Sequence, residues 1–187
     1  KVDQAKTAAT IFVDFNGWDN TNDQIGLVSY ASSPTTNQTL TKTYSLIKTS
    51  INGLVATGGT ATGDAINSAT NELNSVRHNP SALKFQILMT DGLTNTGANT
   101  STAAITAANS GIVIYAIGFG KDADATELTN IATITGGKYY AALDQNALID
   151  VYNLIAQDIQ LLSSDSNIVA SIPDGTLIVG DGNGFFM

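Results

Sequence analysis

The chain has 187 residues, 43 % of them hydrophobic and 13 % charged, with 8 Lys+Arg against 16 Asp+Glu and a formal net charge of -8. That length suits one domain with a sizeable core, and the acidity argues against nucleic acid as a partner, because phosphate neutralisation needs a basic patch. There is no cysteine, which excludes a disulfide framework, zinc–thiolate sites and a cysteine nucleophile, and no apolar run approaches the about 20 residues that span a bilayer.

"VDQAKTAATIFVDF" (2–15) sets Val2, Ala5, Ala8, Ala9, Phe12 and Val13 at helical spacing. The loop "NGWDNTND" follows, then a strand at 24–31 and "SSPTTNQTLT", which holds a turn and a short edge strand. Tyr44, Leu46, Ile47, Ile51 and Leu54 make a second helical stripe, and "ATGGTATGD" is a glycine-rich loop before a helix over 64–77. "KFQILMT" ends as a strand at Thr90, and "TSTAAITAANSG" reads as a helix closed by Gly111. "IVIYAIGFG" (112–120) is a buried β-branched strand, "DATELTNIATITGG" a helix with its cap, "KYYAAL" a strand and 146–162 a long helix. Near-continuous apolar strands between amphipathic helices predict an α/β fold, a doubly wound, mostly parallel sheet with helices on both faces. The domain is expected over 1–162, with a tail at 163–187 beyond the polar "SSDS".

Two loops at the sheet's carboxyl edge carry candidate chemistry. One holds Thr60 in "GGTATGDAI", the other Asp91 in "ILMTDGLTN". Open α/β sheets bind ligands just beyond the carboxyl ends of their strands. A hydroxyl and a carboxylate are hard oxygen donors suited to Mg²⁺, Ca²⁺ or Mn²⁺. Taken singly, Asp91 reads as a turn residue and Thr60 as loop filler. Glycines 58, 59 and 63 allow close approach and positive φ, and Asp64 is expected to cap the following helix. "GFGKDA" (118–123) lacks the third glycine of a dinucleotide fingerprint and reads as a turn, with Asp122 and Asp124 solvated. His78 is read as a surface or capping residue, and Trp18 either anchors its loop or contacts a partner. No Ser-His-Asp set, phosphate loop or carboxylate pair points to an enzyme.

In order along 1–160, "AKTAATIFVDF", "DQIGLVSYAS", "GGTATGDAI", "ILMTDGLTN", "GIVIYAIGFG" and "LTNIATITGGKYYAA" resemble a von Willebrand factor type A domain. The resemblance implies a Rossmann-like fold and a metal-ion-dependent adhesion site. Such a site is built from an Asp-x-Ser-x-Ser motif after the first strand, a threonine in a second loop and an aspartate in a third. It implies Thr60 and Asp91 for the last two, a divalent cation (Mg²⁺, alternatively Ca²⁺ or Mn²⁺), a protein partner offering a carboxylate, and no turnover. The chain departs from the pattern because the Asp-x-Ser-x-Ser motif and its strand would stand before Lys1.

Without that central strand, two neighbours would expose bare edges. "TLIVGDGNGFFM" offers an apolar strand (176–180) followed by Asp181 and Asn183, which resemble the start of the missing motif, although Phe185 stands where a serine is needed. The tail is therefore expected to fill the slot within the chain or in a neighbouring copy, with Asp181 and Asn183 as further metal ligands. The rival is a first strand from a separate upstream polypeptide, the tail then being a short β extension or a linker to another domain. A strand passed between copies would build a dimer or fibre, so the alternative function is a structural subunit of a surface filament or pilus. The Thr/Asn/Ser/Ala-rich, lysine-poor composition suggests a secreted or cell-surface protein, and with no signal peptide visible the chain reads as a mature or trimmed form.

Overall fold

The computed structural model describes residues 1–19, 21–55 and 58–161, together with the backbone of 166–173 and 176–183. The elements follow in the order α1 (Val2–Val13), β1 (Gln24–Tyr30), β2 (Pro34–Thr41), α2 (Tyr44–Asn52), α3 (Thr62–Leu73), β3 (Leu83–Thr90), α4 (Thr100–Asn109), β4 (Ile112–Phe119), α5 (Ala125–Thr135), β5 (Tyr139–Ala142), α6 (Gln145–Gln160), β6 (Ser166–Pro173) and β7 (Thr176–Asn183).

Periodicity explains the layers. β3 buries Phe85, Ile87, Leu88 and Met89, and β4 buries Ile114, Tyr115, Ala116 and Ile117, so neither strand alternates. A strand covered on both faces has no use for a polar side. The helices touch one another in two rows, α2–α1–α6 and α3–α4–α5, and both rows pack on the sheet. Each helix turns one stripe inward, as with Ala5, Ala8, Ala9 and Phe12 of α1 and Leu148, Tyr152, Ile155 and Ile159 of α6. Side-chain caps mark three starts: Asn99 for α4, Asp124 for α5 and Asp144 for α6. Gly136, in the left-handed region at φ +76, closes α5. No helix among the described residues is long and apolar enough to cross a membrane.

The sheet has seven strands in the order β2-β1-β6-β7-β3-β4-β5. β3, β4 and β5 run parallel. Both tail strands fall in the one gap between β1 and β3, and each pairs with both of those strands. β6 is parallel to both, in register Gln24↔Asn167 on β1 and Leu83↔Ser166 on β3. β7 returns antiparallel, pairing Leu177 with Ser171 and Asn183 with Ser166. The strand expected at 176–180 thus lies in the gap but runs antiparallel, whereas the parallel strand is Ser166–Pro173, which in sequence reads as a bridge. Residues 163–165 and 184–187, including Phe185, lie outside the described residues.

β2 is the edge. Its single paired register with β1 is Ile25↔Thr41. Side chains extend the attachment: Asn37 Oδ1 accepts the Ser29 N–H at 2.8 Å, and Glu72 Oε1 of α3 accepts the Leu40 N–H at 2.8 Å. Arg77 holds Glu72 in place, donating from Nε and Nη2 at 2.8 and 2.7 Å.

Candidate metal centre at the carboxyl edge of the sheet

Thr60 and the turn after Asp91 lie together at the end of the sheet where the parallel strands stop. Asp91 follows Thr90, the last residue of β3. Thr60 sits two residues before α3 and is 3 % exposed. Its hydroxyl looks onto the turn after Asp91: a Cβ added to Gly92 would lie 3.9 Å from Thr60 Oγ1. Among the described residues that hydroxyl makes no hydrogen bond, whereas its backbone is held on every side. The Thr60 N–H donates to Asn95 Oδ1 at 2.9 Å, and the Asn95 N–H donates back to the Thr60 carbonyl at 3.1 Å. The Gly59 N–H donates to Ser32 Oγ at 2.9 Å, and the Ala61 N–H to the Ala31 carbonyl at 2.8 Å. The threonine loop is thus sewn to the end of β1 on one side and to the loop after β3 on the other.

Glycine serves this loop in three ways. Gly58 takes φ +90. At Gly59 a Cβ would come within 2.8 Å of Asn95 Oδ1. At Gly63 a Cβ would collide with the Ala98 carbonyl, so α3 and the loop after β3 touch backbone to backbone. Residues 56–57, at the start of the glycine-rich stretch, lie outside the described residues.

Asp64 does not cap α3. The N-cap is Ala61, with no side-chain bond, and Asp64 Oδ1 accepts the Ala98 N–H at 3.2 Å. As the third residue of the helix it lies past the capping position, and the close passage at Gly63 brings Ala98 to it instead.

Beneath the two ligand candidates lies a polar floor. Tyr30, at the end of β1, donates to the Met89 carbonyl at 3.1 Å. Burial pushes its phenol well above the usual value, so it stays a neutral donor. Thr94 donates to Glu127 at 2.5 Å and lies 2.7 Å from Thr62 Oγ1, while Thr100 donates to the other Glu127 oxygen at 2.8 Å. Glu127 therefore ties α5 to the loop after β3 and to α4, with both oxygens engaged. Asp124 Oδ1 accepts the N–H groups of Thr126 and Glu127, so Asp124 is a helix cap rather than a free loop charge.

The Asp91 carboxylate is 22 % exposed, open enough to receive a ligand. Lys1 reaches it, with Nζ 3.4 Å from Asp91 Oδ2 and 3.4 Å from Asp122 Oδ2. Partial burial pulls the Lys1 ammonium down, but the charge of Asp91 and the bonds to Asp122 and Asp91 outweigh it and raise its pKa.

The donor set fits a hard divalent cation, though sparsely. Asp91 and Thr60 supply two oxygen donors, and the remaining positions would fall to water and a partner, as Mg²⁺ accepts. Among the described residues no three His, Cys, Asp or Glu side chains converge on one point. The other two candidates lie elsewhere in the ladder. Asp181 pairs with Ile168 and Asn183 with Ser166, whose partner on β3 is Leu83. That is the edge where the parallel strands begin, opposite Asp91.

Two remaining sequence candidates are structural. Trp18 anchors its loop, with Nε1 donating to the Phe12 carbonyl at 2.7 Å and the ring tilted on Phe12 and Phe15 at 5.2 and 5.3 Å. His78 is half-buried, and its Nε2 is buried with no hydrogen-bond partner among the described residues.

A parallel αβ sheet with a threonine loop and an aspartate turn meeting over its carboxyl edge defines a von Willebrand-type domain. The sequence profile of the von Willebrand factor type A domain matches residues 1–154, and the chain belongs to that family. A search of curated proteins found no match. Among solved structures, BatB from Bacteroides thetaiotaomicron is 23% identical with a TM-score of 0.70, covering 83% of this chain and 85% of that one. Proximal thread matrix protein 1 from the mussel byssus is 27% identical with a TM-score of 0.74; the match covers 83% of this chain and only 42% of that one. A further structure of that mussel protein, 26% identical over 82% of this chain and 40% of that one with a TM-score of 0.69, is described with a zinc-occupied metal-ion-dependent adhesion motif. The domain of the type V pili tip protein Mfa5 from Porphyromonas gingivalis, 17% identical over 83% of this chain and 87% of that one, has a TM-score of 0.65 and shares the fold.

Proposed function

We propose that the chain is a non-enzymatic, secreted or cell-surface binding module. Its carboxyl edge holds a divalent cation on Thr60 and Asp91, and a carboxylate from a protein partner completes the coordination. The observation that carries this reading is the Thr60 hydroxyl. It makes no hydrogen bond among the described residues and faces the turn after Asp91, while the backbone around it is bonded to both neighbouring loops. A hydroxyl left unbonded beside a carboxylate turn is a hard oxygen donor that a divalent cation can use. The mussel protein with a zinc-occupied site supports the reading. Asp181 and Asn183, at the opposite edge of the sheet, do not belong to this site.

The test is calorimetric titration of Mg²⁺ into the 187-residue chain and its Asp91→Ala variant. Saturable binding lost in the variant is the expected result. Equal binding by both would place any cation elsewhere and end the reading.

A second reading rests on a separate observation, the pairing of β6 with both β1 and β3. If a neighbouring copy donates those strands, the fold becomes a brick in a filament. Light scattering on the 19.4 kDa chain decides: a monomer keeps the strands at home, and an ordered oligomer favours exchange.

A further inference from the structure

Lys1 brings a positive charge to the acid assigned above to the cation. Its Nζ lies 3.4 Å from the Asp91 carbonyl, as well as from the Asp91 and Asp122 carboxylates. The turn after β4 makes room for it: Gly120 holds φ +90, and a Cβ there would stand 3.3 Å from Nζ. Three oxygens from two loops thus surround one ammonium carried by the first residue before α1.

We propose that Lys1 is a tethered competitor for the cation site, whose ammonium occupies Asp91 until a divalent cation displaces it toward Asp122. The proposal rests on the reading of Asp91 as a cation ligand. A divalent ion on the Asp91 carboxylate would repel an ammonium a few ångströms away, so one group cannot serve both cations fully. Asp122 offers the alternative seat, since its carboxylate is 77 % exposed and already shares the ammonium. Lys1 is itself 45 % exposed, so water and salt screen the competition and its effect is moderate. The device sets the concentration at which the site fills: bare at low divalent cation, loaded when the cation is abundant.

The experiment is Mg²⁺ titration calorimetry on the 187-residue chain and on Lys1→Met, Lys1→Arg and Lys121→Met. Lys121 is the control, an exposed lysine of the same turn that makes no bond among the described residues. Lys1→Met should tighten binding roughly three- to tenfold, the size of a screened charge pair. Lys1→Arg keeps a monovalent cation in place and should bind as the unaltered chain does. Lys121→Met removes the same charge from outside the contact and should change the affinity less than about twofold. Binding seen only after Lys1→Met would support the proposal most strongly. An unchanged affinity in Lys1→Met, or equal tightening in both Met variants, overturns the role of Lys1 and leaves the metal site standing. Absence of Mg²⁺ binding in every variant overturns the metal site and the proposal together.

Discussion

Thr60 and Asn95 hold each other by two reciprocal hydrogen bonds, Thr60 N–H to Asn95 Oδ1 at 2.9 Å and Asn95 N–H to the Thr60 carbonyl at 3.1 Å. The side chain of one loop and the backbone of the other fix how far apart Thr60 and Asp91 stand. Asn95→Ala deletes the acceptor for the Thr60 N–H and keeps both proposed ligands. It should weaken Mg²⁺ binding several-fold and cost about 1 kcal/mol of stability. Calorimetry and urea unfolding on the same variant check this; unchanged cation affinity would show that the clasp does not set the site.

Gly63 makes the second clasp. Its missing Cβ lets α3 pass against the Ala98 carbonyl, and Asp64 then accepts the Ala98 N–H. In Gly63→Ala the backbone must separate at that point, since neither partner is a flexible side-chain tip. Overpacking of this kind costs about 1–3 kcal/mol, and the displaced loop carries Asn95 with it. The expected outcome is a lower thermal midpoint together with weaker Mg²⁺ binding. A stable Gly63→Ala with full affinity would mean the two backbones have room to part.

Much of this frame was legible from pattern. β3 and β4 are continuous apolar runs, and α1 and α6 place their buried residues at helical spacing, so local chemistry alone marks them. The proposed site is marked in the sequence only by motif order, because a threonine and an aspartate 31 positions apart carry no periodic signal. What pattern does not mark are contacts between distant segments. Asn95, Ser32 and Lys1 reach the site through tertiary approach, and nothing in their neighbours announces it. β2, polar along most of its length, is pinned by Glu72 from α3. Trp18 reads equally as partner contact or anchor until the Phe12 carbonyl is seen beneath it.

Glu72 offers a stability test away from the site. It is 6 % exposed and serves the Leu40 N–H and the Arg77 guanidinium at once. Glu72→Ala strands a buried N–H and removes a charge-assisted pair, at a cost of about 2 kcal/mol. Arg77→Ala should cost less, because Arg77 is 45 % exposed and leaves the Leu40 bond intact. Chemical unfolding of both single variants and the double variant measures the coupling. Equal losses from the two single changes would contradict the assignment.

His78 gives the fold a pH dependence. Burial, and then the charge of Lys84, lower its pKa from the usual 6.5, against a weaker raising bond to Ala82. The unfolded chain therefore binds the proton more readily than the folded one. The stability contributed by neutral His78 is complete above pH 6.5 and falls as the pH drops through that value toward the folded pKa. His78→Gln cannot take up the proton. Below pH 6.5 the unaltered chain should lose stability relative to His78→Gln, measured as the difference between their urea midpoints from pH 8 to pH 5. Parallel midpoints across that range would show that His78 is as easily protonated folded as unfolded.

The tail strands supply the last test. Ser166–Pro173 pairs in parallel with seven consecutive residues of β1, Gln24 to Tyr30, and with Leu83 to Leu88 of β3. β1 and β3 are buried strands with apolar residues on both faces, including Ile25, Leu27, Val28, Phe85, Ile87 and Leu88. Ending the chain at Leu161 would leave two such strands with bare facing edges, and unpaired N–H and C=O groups beside apolar surface template association. The truncated chain should therefore aggregate, or lose cooperative unfolding, where the 187-residue chain does neither. Adding a synthetic peptide of residues 163–187 should restore a soluble, cooperatively unfolding species, because the slot is open and its register is set by β1. Size exclusion with light scattering reads both steps. A soluble, cooperatively folding truncated chain would show that β1 and β3 close on each other without the tail, and would remove strand exchange as a route to assembly.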